Sequence, residues 1–245
     1  MAIRTTCILG AILAGLGTGC AGHAEYDPFL VPEDRIYGTV KTIALYAVLA
    51  PSELGSVDPQ RGKFAALIAA QLEAAGFTVV PPEVSDSIWT RLTDSLGGLH
   101  DSHTGERDTV KLNTARALAM SELQARFHAD AWLHPYIVFS DAKYEEGDAQ
   151  WDGAKQSYQS LGKKLLTALL GEGTSGKTKA LSLWVVMEDM DGEELYENQG
   201  GLQLYMIPQG QDVVKIDPAE LYADSKRNST AVRLALEPLV TRKAK

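Results

Sequence analysis

The stretch VKTIALYAVLA (40–50), followed by DPQRGKFAALIAAQLEAAGFTVVPP (58–82), decides the fold. The first run is apolar almost throughout, as a strand buried on both faces requires. In the second, Asp58-Pro59 supplies an N-cap with proline at the first helical position. Phe64, Leu67, Ile68 and Leu72 then recur at helical spacing, and Gly76 takes the left-handed stop. Residues 77–80 form a short strand, closed by Pro81-Pro82. Strand, helix and strand in this order predict a right-handed parallel crossover.

Working outward, Ser85 caps a second helix whose stripe is Val84, Ile88, Trp89 and Leu92. A polar loop, 97–107, leads to a third helix over 109–127, with Leu112, Ala115, Ala119, Leu123 and Phe127 on one face. AWLHPYIVFS (131–140) reads as a strand in which Pro135 removes a ladder donor, predicting an edge position or a bulge. Residues 141–153 are charged and irregular, and 154–170 turn helical, with Tyr158, Leu161, Leu165 and Leu169 on one side. ALSLWVVMED (180–189) alternates: Leu181, Leu183, Val185 and Met187 share a face opposite Ser182, Trp184, Val186 and Glu188. Asp191-Gly192 predicts a hairpin, and the return strand covers 194–207 with an irregularity at Gly200-Gly201. Asp217-Pro218-Ala219-Glu220 has the pattern of a capping box. Asn228 caps a last helix carrying Val232, Leu236, Leu239 and Val240, which Pro238 kinks or shortens. The order predicts a single α/β domain. Its mixed sheet of about five strands, parallel early and ending in an antiparallel hairpin, is flanked by helices.

The amino terminus carries an address. Arg4 precedes an apolar run, 7–16, too short for a ~20-residue membrane span, and then Gly17-Thr18-Gly19-Cys20. The small residues before Cys20 resemble the bacterial lipobox, in which the cysteine becomes the first mature residue and is acylated. Gly17 stands where that pattern has a large aliphatic residue, and Leu16 lies one place further out. Residues 1–19 are therefore expected to be a lipoprotein signal peptide, 20–36 a tether, and 37–245 the folded body. Acyl chains on Cys20 would hold the protein on a bilayer, each buried CH₂ adding about 0.8 kcal/mol. Ala21 replaces the aspartate that resembles an inner-membrane retention signal, which points to the periplasmic face of the outer membrane.

The net charge of −9 becomes −10 once Arg4 leaves with the leader, giving 22 basic against 32 acidic residues. An acidic chain without a basic tract does not suit nucleic acid, whose affinity rests on phosphate neutralisation. Cys7 leaves with the leader and Cys20 would be acylated, so no disulfide is available to the mature chain.

Four features invite a chemical reading. Residues 171–178, GEGTSGKT, match G-x-x-x-x-G-K-[ST], but a phosphate loop works from a strand into a helix N-terminus. Here a helix precedes and a strand follows, so a hinge is expected. His100-Asp101-x-His103 has metal-like residue types in a polar loop without further ligands in reach, and His128 and His134 approach only through the fold. Glu145-Glu146 and Asp189-x-Asp191 are acidic pairs expected to be solvated. The helix 154–170 is a candidate arm for self-association. No catalytic, cofactor-binding or metal residue is assigned, and Cys20 is the one assigned site, for lipidation.

VKTIALYAV, GKFAALIAAQLEAAGFTVVPPEVSDSIW and ARFHADAWLHPYIVF resemble a family of bacterial outer-membrane lipoproteins of unknown function. Its core is similar to the amino-terminal domain of TolB and to the curli-secretion lipoprotein. LSLWVVMEDMDGEELYENQGG and AVRLALEPL extend the resemblance over roughly 38–240. It implies assembly or scaffolding in the envelope, not catalysis. The expected protein is a lipid-anchored, non-enzymatic binding module without a cofactor. Its expected partners are the membrane through acylated Cys20, and further copies of itself or other envelope proteins. The alternatives are a nucleotide-binding or hydrolytic enzyme using GEGTSGKT, and a periplasmic carrier of a small or lipidic ligand.

Overall fold

The computed structural model describes residues 26–241 apart from 56, 102–103, 146, 158–174, 210–211 and 218–219. Its elements are α1 (Glu33–Thr39), β1 (Thr42–Leu45), α2 (Asp58–Ala74), β2 (Thr78–Val80), α3 (Pro82–Ser95), α4 (Thr109–Phe127), β3 (Ala131–Glu145), β4 (Asp148–Trp151), β5 (Ala154–Ser157), β6 (Ser175–Asp189), β7 (Glu194–Leu204), β8 (Met206–Gln209), β9 (Asp212–Lys215) and α5 (Ser225–Val240). This is an α/β fold with a mixed, curled sheet, parallel in its early strands and antiparallel later. Parallel β1 sits between β2 and β3, and β6 runs antiparallel along all of β3 before pairing with β7. The main sheet has seven strands, more than the five expected, and β8–β9 form a separate ribbon.

The sheet buries both faces at its parallel end. Ile43 and Leu45 of β1, Leu133 and Ile137 of β3, and Leu181, Leu183, Val185 and Met187 of β6 form one core with Phe64, Ile68 and Leu72 of α2 and Ala231, Val232, Leu236 and Leu239 of α5. Each such side chain contributes about 1.5–3 kcal/mol by leaving water. On the other face Ala44 and Trp132 lie beneath Ile88 and Leu92 of α3 and Met120 and Leu123 of α4. Gly76, at φ 94°, ends α2 as expected, and Gly192, at φ 87°, forms the β6–β7 turn.

Several expectations are corrected. Asp58 is the first residue of α2 and ion-pairs with Arg61 instead of capping. Ser85 lies buried inside α3, which starts at Pro82 because proline suits a first turn. Pro135 is in a central strand. Its carbonyl accepts from the Leu49 N–H on the β1 side, so its missing donor faces the interval where the chain leaves β1 before returning at Leu49. A central proline is tolerated there because the ladder to the β1 side skips from Tyr46 to Leu49 opposite it. Residues 141–157, expected to be irregular and then helical, continue β3 and form β4 and β5, with Ala142, Ala149 and Trp151 buried in a small core of their own. The remainder of the expected helix, with Tyr158, Leu161, Leu165 and Leu169, lies outside the described residues. The irregularity in β7 is an extra residue, Leu202, beside Gly201.

Asp224, not Asn228, caps α5: its Oδ1 accepts from the N–H groups of Lys226 and Arg227. Buried Asn228 instead donates to the Tyr222 carbonyl. Glu220 and Leu221 donate to the Asp217 carbonyl in a turn before the helix, while Pro218 and Ala219 of the expected capping box lie outside the described residues. Pro238 cannot donate to Leu234, and β7 makes up the loss. Asn198 Nδ2 donates to the carbonyls of Leu234 at 3.0 Å and Ala235 at 3.2 Å, and the Tyr196 hydroxyl donates to Ala235 at 2.7 Å. Gly200, two residues beyond Asn198 on the same strand, faces Ala231 and Ala235 and lets the helix backbone onto the strand.

The stretch expected to be a tether joins the fold from Tyr26 onward. Phe29 packs edge-on against Tyr196, and Ile36 of α1 is fully buried. The Arg35 guanidinium pairs with Asp189 and Glu193 at the β6–β7 turn. The apolar positions Phe29, Val31 and Ile36, widely spaced around two prolines, carry no periodic signal, which is why the segment reads as linker.

Candidate functional site

Strand β7 closes the main sheet, and its outer edge is covered in two places. Residues 28–30 run antiparallel to it: Leu30 N–H donates to Leu195 O, and Glu197 N–H donates to Pro28 O, each at 3.0 Å. Further along, Gly201 N–H donates to Asp152 O in the β4–β5 turn at 2.9 Å. Leu195, Glu197 and Gly201 thus turn their backbone groups outward. By the same alternation Gln199 turns its N–H and C=O into the interval, where neither has a partner among the described residues.

That interval is a cleft of about 470 Å³, walled by Tyr26, Asp152, Gly153, Trp184, Glu197 and Gln199, with Asn198 and Leu234 at its base. Trp184 reaches it from β6, half-buried and tilted against Tyr136 with ring centroids 5.5 Å apart. Asp152 holds a left-handed backbone at φ 40°, and its Oδ2 accepts from the Ser182 hydroxyl at 2.5 Å. The Tyr26 hydroxyl donates to the Glu197 carbonyl at 2.8 Å. Burial, then the carboxylates of Glu197, Asp152 and Asp27, pushes the Tyr26 phenol upward, so it remains a protonated donor. The Glu197 and Asp152 carboxylates form no ion pair among the described residues. The cleft therefore offers one indole ring, two carboxylates, the Gln199 side-chain amide, whose Oε1 accepts from the Ser140 hydroxyl at 3.4 Å, and a main-chain donor and acceptor without a partner among the described residues.

A second cluster sits where strand order reverses between β1 and β3, the place where open α/β sheets bind ligands. Tyr46, Trp132 and His134 meet there, with ring centroids 5.7 Å, 5.5 Å and 4.6 Å apart. Burial, reinforced by Arg116, pushes His134 down to about 4, so the imidazole is neutral. His134 Nε2, Trp132 Nε1 and Ser85 Oγ have no hydrogen-bond partner among the described residues, and all three are sealed from solvent. Those polar atoms are buried, so the crevice turns no donor to solvent, whereas the cleft beside β7 is open, as is a neighbouring hollow of about 590 Å³ between residues 26–29 and the end of α5.

The residues singled out by sequence fall elsewhere. Cys20 lies outside the described residues. Gly176, Lys177 and Thr178 are strand residues of β6 paired with Tyr144, Lys143 and Ala142, not the opening of a helix, while 171–174 lie outside the described residues. His100 bridges to Arg107 in an exposed loop, and His103 is outside the described residues. His128 caps α4 in a left-handed conformation. Asp189 Oδ1 accepts from the N–H groups of Asp191 and Glu193, so that acidic pair shapes a turn; Glu145 ends β3, and Glu146 is outside the described residues. Among the described residues no group of three His, Cys, Asp or Glu could hold a metal ion, and no helix is long and apolar enough to cross a membrane. The cleft residues come from five separate stretches, and the one sequence signal for them is Trp184, an indole in an otherwise aliphatic strand. No family model matches this chain, and no curated protein does either.

Proposed function

We propose that this chain is a lipid-anchored envelope protein, held on the periplasmic face of the outer membrane through acylated Cys20, whose body is a binding and assembly module. The observation that carries the reading is the closeness of anchor and site. Tyr26 walls the cleft and is six residues past Cys20, a span of at most about 20 Å of extended chain. An acylated Cys20 would keep the cleft beside the headgroups, where a membrane-bound module meets its partners. The resemblance to outer-membrane lipoproteins supports the same reading, with further copies of the chain or other envelope proteins as partners. The test is fractionation of cells expressing wild type and Cys20→Ser. Wild type is expected in the outer-membrane fraction with label from radioactive palmitate, and Cys20→Ser in the soluble periplasmic fraction without it. Equal membrane recovery of both, or no label on wild type, would refute the anchor. Crosslinking in intact cells then names the neighbours.

A further inference from the structure

We infer that the cleft beside β7 binds an acetamido sugar. The inference rests on reading the body as a binding module, but not on the lipid anchor. Three features of the cleft select this chemistry. First, Gln199 presents a backbone N–H and C=O with no partner among the described residues, between the stretch 28–30 and the Asp152 turn. A ligand that satisfies both must itself carry an amide, or a hydroxyl with both donor and acceptor capacity. Second, the half-buried Trp184 ring forms one wall, a surface for the C–H face of a pyranose. Third, the Glu197 carboxylate and Asp152 Oδ1 supply acceptors and the Gln199 Nε2 a donor in the same space, while Asp152 Oδ2 and Gln199 Oε1 accept from Ser182 and Ser140. Sugar hydroxyls answer such groups one for one. The gap in the edge pairing lies between Glu197 and Gly201, and the 470 Å³ volume falls in the range of small-ligand sites.

Other chemistries fit less well. An anion meets Asp152 and Glu197, which have no cationic partner among the described residues. An ammonium ion suits those carboxylates but leaves the Gln199 N–H facing a like charge. An extended peptide would continue the edge ladder, but Tyr26 and Gly153 close the interval at either end.

The experiment uses the mature chain with Cys20→Ser, titrated calorimetrically with N-acetylglucosamine, its tetramer and glucose. N-acetylglucosamine is expected to saturate with Kd of about 1 mM, ordinary for a ligand of this size. Glucose, lacking the acetamido group, is expected to bind at least about tenfold more weakly. Two variants report on separate contacts. Gln199→Pro removes an N–H that faces outward, so the β6 ladder is kept, and Trp184→Leu removes the ring but keeps an apolar side chain over Tyr136. Each is expected to lose about tenfold or more in affinity while keeping a cooperative thermal transition. Equal affinity for monomer and tetramer identifies a free sugar as the ligand; a tetramer preference of about tenfold identifies a glycan strand. No saturation by any of the three up to about 10 mM, or saturation that survives both variants, overturns the inference. Saturable binding of ethanolamine or an extended peptide, with none of the sugars, overturns it as well. None of these outcomes bears on the fractionation of Cys20→Ser, so the two readings fail separately.

Discussion

Gly200→Ala places a methyl group against the backbone of α5. An ideal Cβ at this position falls 2.7 Å from Ala235 N and closer still to the Ala231 carbonyl oxygen. Both are main-chain atoms, so no side chain can swing aside. Relief requires α5 to withdraw by about 1 Å, an overpacking strain that typically costs about 1–3 kcal/mol. The same withdrawal stretches the hydrogen bonds from Tyr196 to Ala235 (2.7 Å) and from Asn198 to Leu234 (3.0 Å). At about 1 kcal/mol each, their loss brings the total to about 3–5 kcal/mol. That is a large fraction of the ~5–15 kcal/mol that holds most domains folded. The assay is urea unfolding of the mature Cys20→Ser chain followed by Trp fluorescence. With a slope of about 2 kcal/mol per molar urea, the midpoint should fall by about 2 M. The control is Gly62→Ala in α2, where nothing lies within 4 Å of the added methyl. It should gain about 0.5–1 kcal/mol by removing helix-interior glycine. A Gly200→Ala midpoint within about 0.3 M of the parent would refute the close approach of α5 to β7.

Two further outcomes can be measured in the same way. His134 has a folded value near 4 against an unfolded value of 6.5, so the unfolded chain binds the extra proton between them. Stability contributed by the neutral imidazole is complete above pH 6.5 and is lost as pH falls towards 4, by up to about 3 kcal/mol. His134→Gln should lose that slope in urea midpoints measured from pH 7 to 4, and an unchanged slope would reject the assignment. Pro238→Ala restores a helical donor to Leu234, so it should rescue about 1 kcal/mol of the loss caused by Asn198→Ala. Strict additivity in the double-mutant cycle would sever the two.

The fold was legible where one physical signal dominated. The Leu181–Met187 alternation, the Phe64–Leu72 helical spacing and the Asp191-Gly192 turn each point to one local structure, and all three are found as read. Reading failed where tertiary context overrode a local rule. Ala154–Ser157 carries a helical pattern but is paired with β4, and Gln156 sends its Oε1 to the Leu204 N–H at 3.0 Å. Pro135 is harmless only because the chain opposite it steps away, a fact about residues 46–48 that no window around the proline contains. The cleft was illegible for a related reason. It is made by what is missing from an edge, and a Gln199 N–H without a partner among the described residues has no residue type to announce it.

The contact between residues 28–30 and β7 also decides how the body would respond to the proposed anchor at Cys20. Any pull transmitted from Cys20 enters the fold at Tyr26 and is taken first by the Pro28 and Leu30 backbone bonds, then by Arg35 where it grips Asp189 and Glu193. Both attachments are on the β6–β7 hairpin, so the strain reaches the sheet before any of the longer helices. Tugging from the membrane would thus tend to peel the wall of the cleft that Tyr26 provides while the core stays intact. If Cys20 is acylated as proposed, tension, and not only concentration, becomes a variable that sets whether the cleft is whole.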